Sequence, residues 1–586
     1  MKYVLFLFII VALSYAQILD EKVIDLPTFE LKNKMSGEVQ EFVEKSFAQE
    51  GELSKISTNH DLLGRKVRDS TSYVTSLKTN PEKIKVLVSY LKDESTIVEM
   101  NGRYECGLHQ NEKRFWFNNE ELTEDEYLNL FKKERKRERE YLGSYRSPDV
   151  MYLTAQQIKE MLDGPQRVYI SKYKEAIFNS NDTIVSGTVY YRDSILRKQS
   201  QIEDWAFYYG YKGAGIGIYF TESGCPNLNY VNQNNYFQGS ICERGVRPHP
   251  TGVVKVLQTT APQAKIFGFD QVNYPENPLE YSTPIYIGSH SWSIDGDSLY
   301  TPEDREMDDY IYQERVIEFV AAGNKNAVSD LNYVTSPGKA VNAITVGAIE
   351  PDTYNYTWYS RWKNSVVKNQ KPEIINFTNF YFLGEQPFSV VFDGVLHTYN
   401  GTFNGTSAAT PYTAAMAADV LSQHSFFKEH PELFKALMLT GSTVAANNAS
   451  SKDRDNYVRI KKIPQYFKMG WNTRSAFWSG SNSSFFGVDS TILITESNIK
   501  ANRNYRIAIS WLSDPNYVQD FNLLPQDLDL FVYQNGVLLA SSTSATNPFE
   551  LVDFTTTSTS DLEIVIKRVR NANADDVILG YNFLLN

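Results

Sequence analysis

The chain has 586 residues, of which 42% are apolar, 22% charged and 13% aromatic, a composition that can bury a sizeable core and excludes collagen-like, coiled-coil, low-complexity and disordered classes. Its 58 basic against 70 acidic residues leave a net charge of -12, which repels a phosphate backbone and excludes nucleic acid as an expected partner. Three cysteines are too few for a disulfide scaffold, and at roughly 150 residues per domain the length calls for three or four units.

Met1-Lys2, the apolar run from Val4 to Leu13 and Ser14-Tyr15-Ala16 read as a secretory signal peptide over residues 1–16, cleaved after Ala16. A run of about ten apolar residues is too short for a ~30 Å hydrocarbon core, so no membrane anchor is expected. The mature protein is therefore expected to be secreted or to reside in the endolysosomal lumen. Sequons at Asn181, Asn355, Asn376, Asn400, Asn448 and Asn482 suit that route.

Residues 17–198 are charged. Between Thr123 and Glu140 a run of lysines and arginines from Lys132 to Arg139 is interleaved with Glu134, Glu138 and Glu140, which reads as a solvated helix face or as a protease-sensitive processing site. A second helix is predicted over Leu153–Leu162, with Thr154 and Gln157 as a capping box. Gly164-Pro165 stops it, and Val168-Tyr169-Ile170 reads as a strand, which together suit a small α+β unit. The dibasic pair Arg197-Lys198 follows in a polar segment where a linker could be cut.

From 199 to 479 short buried strands alternate with helices, the pattern of an α/β sheet. Strands are predicted at Ile216–Phe220, Lys265–Phe269, Ile285–Ile287, Val316–Val320 and Ala343–Gly347, several ending in polar clusters. In such sheets the site lies at the carboxyl ends of the strands. Over 480–586 short strands follow one another. Asn535-Gly536 suits the turn of a hairpin between Asp529–Tyr533 and Val537–Ala540, and Leu562–Ile566 adds another strand of a predicted β-sandwich.

The most specific cluster is Gly405-Thr406-Ser407-Ala408-Ala409-Thr410-Pro411, opening an Ala-rich helix. A serine at a helix N-terminus sits where unpaired N–H groups stabilise developing negative charge, and the same residues also read as an ordinary cap. Phe319-Val320-Ala321-Ala322-Gly323-Asn324 is a strand ending in a carboxamide; His249, in His249-Pro250-Thr251-Gly252, stands at a predicted helix start; and Glu222 ends the Gly-rich turn and strand from Gly210.

In these clusters the chain resembles the subtilisin-like serine peptidases, whose nucleophile is set in Gly-Thr-Ser followed by small residues and a Pro four positions after the Ser. The resemblance implies Ser407 as nucleophile, His249 as base and Glu222, where the family has Asp, as the carboxylate that orients it. It further implies Asn324 as the oxyanion donor, and Gly323 with Ser289 and Ser291 as substrate-binding residues, the two serines on a strand beside the specificity pocket. Pro250 and Gly252 depart from the Gly and second His that the family has after its catalytic His. Cys225 and Cys242 enclose sixteen residues next to Glu222 and are a candidate disulfide, the alternative being two buried thiols.

The fold expected is thus α/β, a subtilisin-like, mainly parallel sheet with helices on both faces, preceded by an α+β propeptide-like region (17–198) and followed by a jelly-roll-like β-sandwich. The expected function is hydrolysis of protein or peptide substrates, with an intramolecular propeptide as inhibitor. An inactive relative that binds peptides or adheres to other surfaces is the alternative. No cofactor is required; Asp527 and Asp529 could bind structural calcium or be plain strand carboxylates.

Overall fold

The computed structural model of the chain describes residues 24–25, 34–35, 39, 42–43, 83–90, 102–109, 112–117, 120–123, 126, 149–163, 168–172, 191–192, 212–270, 274–294, 299–327, 332–350, 356–362, 369–382, 385–392, 395–444, 462–464, 469, 473–481, 485–486, 490–521, 523–571 and 576–584. The signal segment, Arg197-Lys198 and nearly all of the helix expected over 123–140 lie outside them. Two compact units result, one of residues 29–97 and 141–175, the other of 1–28, 98–140 and 176–586.

In the smaller unit, strands Lys34–Met35, Val168–Lys172, Ile84–Tyr90 and Asp149–Leu153 form a sheet in that order, and helix Ala155–Leu162 packs with it over a core of Val39, Val86, Leu153, Ile158, Val168 and Ile170. The predicted capping box is made: Gln157 N donates to Thr154 Oγ1 at 3.2 Å, and Thr154 N donates to Gln157 Oε1 at 3.0 Å.

The larger unit is built on a seven-stranded parallel sheet. Its elements, in chain order, are β1 Gly217–Glu222, β2 Tyr236–Gln238, α1 Pro248–Thr260, β3 Lys265–Asp270, β4 Ile285–His290, α2 Pro302–Glu314, β5 Ile317–Ala321, β6 Ile344–Ile349, β7 Ile374–Phe377, α3 Thr406–Gln423 and α4 Pro431–Thr440. The order β2-β3-β1-β4-β5-β6-β7 is parallel throughout. All five predicted strands are present, each shifted by one to three residues toward the chain's carboxyl end at one or both of its bounds. The short β2 and β7 carry too few residues to announce themselves. Helix α3 is buried on every side from Thr406 to Leu421, which is why its Ala-rich sequence shows no polar stripe. Among the described residues no helix is long and apolar enough to cross a membrane.

The C-terminal strands are β8 Thr473–Ser481, β9 Thr491–Ile499, β10 Asn504–Trp511, β11 Gln526–Gln534, β12 Val537–Ser542, β13 Phe549–Thr555, β14 Ser560–Asn571 and β15 Asp576–Leu584. One sheet runs β13-β10-β15-β8 and continues into Gly102–His109, Glu112–Phe117 and Glu120–Leu122; the other is built on β9, β14, β11 and β12. Ala476 and Trp478 of β8, with Ile507 and Ile509 of β10, enter the sandwich core. The alternate residues Phe477 and Ala508 enter the core of the parallel sheet and its helices. A strand's period of two thus serves both cores. The fit is tight: a Cβ on Gly580 would lie 2.4 Å from Leu433 Cα of α4.

A buried polar seam joins the two layers. Asp308 of α2 accepts from Tyr300 Oη at 2.7 Å, Val341 N at 2.8 Å and Asn342 N at 2.7 Å, while the Asn342 side chain exchanges two hydrogen bonds with the backbone of Ser513. Burial pushes the Asp308 carboxyl up to about 7, against the pull of the Tyr300, Asn342 and Val341 donors. Since the folded state holds this proton more tightly than the unfolded chain does, the group favours the fold most below about pH 4. That contribution is lost as pH rises through about 7. The unfolding midpoint of the wild type relative to Asp308→Asn should therefore fall across that window in a thermal melt series; a pH-independent difference would refute the shifted carboxyl.

Candidate active site

Because β1, β4 and β5 are parallel, the residues that follow them emerge at one edge of the sheet. Glu222 ends β1, Ser291 follows β4, and Ala322-Gly323-Asn324 follows β5. The helix starts of α1 and α3 bring His249 and Ser407 to the same group.

Helix α1 begins at Pro248 with Arg247 as an extended cap, so Pro248 and Pro250 both fall in the first turn. The N–H groups of that turn have no intrahelical acceptor, and two prolines there forfeit no hydrogen bond. His249 Nδ1 lies 2.9 Å from Glu222 Oε2; the histidine is 6% exposed and the glutamate fully buried. The longer carboxylate side chain therefore reaches the ring from the end of β1. Phe403 meets the imidazole edge-on with centroids 5.3 Å apart, and it can do so because residue 252 is glycine. A Cβ there would lie 2.5 Å from the Phe403 ring. The departure at position 252 is thus a packing requirement.

The loop after Glu222 is tied down on both sides. Cys225 and Cys242 form a disulfide with Cα atoms 5.9 Å apart. Asp270, at the end of β3 and in register with Glu222, accepts from Gly224 N at 2.8 Å through one oxygen and from Arg244 N at 3.0 Å through the other. Asp270 was not among the expected site residues; its one signal is a carboxylate closing an apolar strand.

Helix α3 opens with Gly405 at φ +82°, placing Thr406 and Ser407 in its first turn. Pro411 lies inside the helix and lacks the N–H that would bond to Ser407 O. Ser291 takes up that carbonyl, its Oγ donating to Ser407 O at 2.9 Å, and Ser407 Oγ in turn donates to Ser291 O at 3.2 Å. Asn324 Oδ1 accepts from Thr406 N at 3.1 Å and from Thr406 Oγ1 at 3.0 Å. A backbone N–H can only donate, so the amide oxygen must face Thr406, and Nδ2 is the atom left to donate elsewhere. A Cβ at position 405 would lie 2.8 Å from Asn324 Nδ2, and one at Gly323, φ +89°, would lie 2.3 Å from Thr335 Oγ1. Gly405 keeps the ground between α3 and Asn324 open, and Gly323 lets Thr335 pack against the backbone.

Ser289 does not join this group. It is fully buried in β4, in register with Phe220 on one side and Phe319 on the other. Its neighbour His290 organises a polar layer that the sequence motifs do not reveal. His290 Nδ1 lies 2.7 Å from Thr221 Oγ1 and Nε2 lies 2.7 Å from Glu318 Oε2, while Tyr219 Oη donates to Glu318 Oε1 at 2.8 Å and Trp292 Nε1 donates to Thr221 Oγ1 at 2.7 Å. Burial, together with the Glu318 charge, holds the Tyr219 hydroxyl far above its ordinary range and therefore neutral. This layer locks β1, β4 and β5 one residue below Glu222 and Ser291. A charged residue inside the apolar run Ile317–Ala321 was the available signal.

Asp527 and Asp529 lie on β11, 5% and 8% exposed, and burial pushes the Asp527 carboxyl up against the opposing charge of Arg570. Among the described residues no group of three or more His, Cys, Asp or Glu side chains is placed to hold a metal ion. Asn376 of the third sequon is fully buried, its amide donating to Thr413 Oγ1 at 3.0 Å, so the fold has no room for a glycan there.

Residues 264–457 match the family model of the subtilases, peptidase S8, a span that holds Asn324 and Ser407 and begins after Glu222 and His249. The chain is 22% identical to subtilisin DY of Bacillus licheniformis over 236 residues, covering 37% of this chain and 80% of that protein. Among solved structures, a cold-adapted subtilisin-like serine proteinase is similar at 18% identity and a TM-score of 0.30, covering 43% of this chain and 89% of its own. The serine protease of Aeromonas sobria is similar at 13% identity and 0.33, covering 70% and 98%.

Replacing Ser291 by Ala leaves Ser407 O buried without its donor, and such a group costs about 1–3 kcal/mol. Chemical denaturation of Ser291→Ala should show a loss of that order; a change under about 0.5 kcal/mol, the scale of an inert surface substitution, would mean the bond does not hold the helix start.

Proposed function

The chain is a divergent member of the subtilase family, and from that premise we propose that it is a serine endopeptidase working through Ser407, His249 and Glu222. The observation that carries this reading is the 2.9 Å contact between two buried groups, His249 Nδ1 and Glu222 Oε2. With Nδ1–H held by the carboxylate, Nε2 is the nitrogen able to take a proton. The Ser407 hydroxyl exchanges its bond to Ser291 O for one to His249 Nε2 and attacks the peptide carbonyl carbon. The proton passes to the imidazole, and Glu222 stabilises the cation. The oxyanion is met by Asn324 Nδ2 and by the first-turn N–H of Ser407. Collapse breaks the C–N bond, His249 returns the proton to the leaving amine, and water then hydrolyses the Ser407 ester by the same steps in reverse.

The chain is proposed to enter the secretory route through residues 1–16 and to act outside the cell or in the endolysosomal lumen. Its N-terminal region, residues 17–198, is proposed to restrain the site until a cut near Arg197-Lys198. A second reading, an inactive relative that uses the cleft to bind peptides, draws on the Ser407 hydroxyl's bond to Ser291 O in place of His249.

A fluorophosphonate probe separates the two. Covalent labelling of the wild type and its absence in Ser407→Ala is the expected result, and an unlabelled mature protein would favour the binding role. For the acid, Glu222→Asp withdraws the carboxylate by roughly one C–C bond, about 1.5 Å, and should lower turnover about 10²-fold, with Glu222→Ala losing about 10⁴-fold. An aspartate variant as active as the wild type would show that the backbone is set for the shorter side chain.

A further inference from the structure

The segment expected to form one removable propeptide is divided between two structures. Its α+β unit is interrupted, because strand Ile84–Tyr90 pairs with Asp149–Leu153 and the intervening residues leave to build elsewhere. There Gly102–His109, Glu112–Phe117 and Glu120–Leu122 form an antiparallel meander on the edge of the C-terminal sheet. The join is a ladder of seven registered pairs, from Thr473 opposite Leu108 to Ser479 opposite Gly102.

The receiving strand β8 has no freedom to manage without that partner. On its other side it is paired with β15 along its whole length, and its side chains enter two cores, Ala476 and Trp478 one, Phe477 the other. Removing residues 102–109 would strip one row of N–H and C=O groups from a nine-residue strand that cannot twist away, creating a long open edge of the kind that proteins protect. A strand added to a sheet edge draws its affinity from main-chain hydrogen bonds, and seven registered pairs supply them along most of β8.

We propose that the strands Gly102–His109, Glu112–Phe117 and Glu120–Leu122 are a permanent donation to the C-terminal sheet, so that a single cut near Arg197-Lys198 yields a two-chain protein whose N-terminal chain remains bound through the pairing of Gly102–Leu108 with Thr473–Ser479. The two-chain form rests on the maturation reading above; the strand donation does not. It also follows that the α+β unit stays covalently joined to the bound strands after that cut, and that Cys106 belongs to the mature protein.

The test inserts a site-specific protease sequence between Lys198 and Gln199 and cuts the folded, full-length protein. On size exclusion under native conditions the two chains should co-elute and separate only in denaturant; an N-terminal chain that elutes alone after the cut overturns the proposal. The register supplies a second readout, because Ser475 is paired with native Cys106. Facing residues in an antiparallel ladder lie about 4.5–5.5 Å apart, within the disulfide range of about 4.4–6.8 Å. Cut and oxidised Ser475→Cys should run as one band without reductant and as two with it, whereas Ala476→Cys, one residue out of register with Cys106, should run as two in both. Equal cross-linking in the two variants overturns the pairing. Should Ser475→Cys fail to fold, Glu105→Cys combined with Ala476→Cys joins the next registered pair and is read in the same way. Secreted wild-type protein left intact around residue 198 would refute the maturation reading alone, since neither the inserted cut nor the cross-link depends on it.

Discussion

Parallel pairing is the constraint on which the site depends. A parallel strand cannot be joined to its neighbour by a hairpin, so each of β1, β4 and β5 must hand the chain to a crossover, and the residues leaving all three strands appear at one edge. Glu222, Ser291 and Asn324 are therefore brought together by register rather than by attraction for each other. The helix starts that face them contribute in a different way. Each first turn has N–H groups without intrahelical acceptors, which accommodates the prolines around His249 and places the Ser407 N–H outside the helix's own ladder.

The register is held by a buried polar layer. Thr221, His290 and Glu318 each lie on one of the three strands, and their hydrogen bonds are all within the protein interior. A buried network that is fully met fixes a single arrangement, whereas sliding one strand by a residue would leave a carboxylate and an imidazole stranded. Gly288 is part of the same device, since a Cβ there would lie 1.7 Å from Glu318 Oε2. The layer sits directly beneath the two residues, Glu222 and Ser291, that contact His249 and Ser407.

The C-terminal sandwich is bound to this framework as a second layer, and not as an appended module. Phe477 and Ala508 pack into the core of the parallel sheet, Arg506 donates to the carbonyls of Thr440 and Ser442 at the end of α4, and Asn342 clasps the backbone of Ser513. Both faces of β8 and β10 are consequently buried over Ser475–Trp478 and Ile507–Trp511, which those of a sandwich strand with one solvated face would not be.

Local chemistry was legible without the fold. The helix opening at Ser407, the strand running into Gly323-Asn324, the capping box at Thr154 and the hairpin at Asn535-Gly536 each rest on neighbours a few residues apart, and all stand where the residues indicated. Partners distant in the chain were not. Whether Glu222 reaches His249, why Ser291 must bond to a helix carbonyl freed by Pro411, how Ser289 comes to be buried and which sheet receives Gly102–His109 are all settled by register and by which faces close on one another. A sequence carries the periodicity of a strand, but its neighbour is chosen only when the whole set of apolar faces and buried polar groups is satisfied at once.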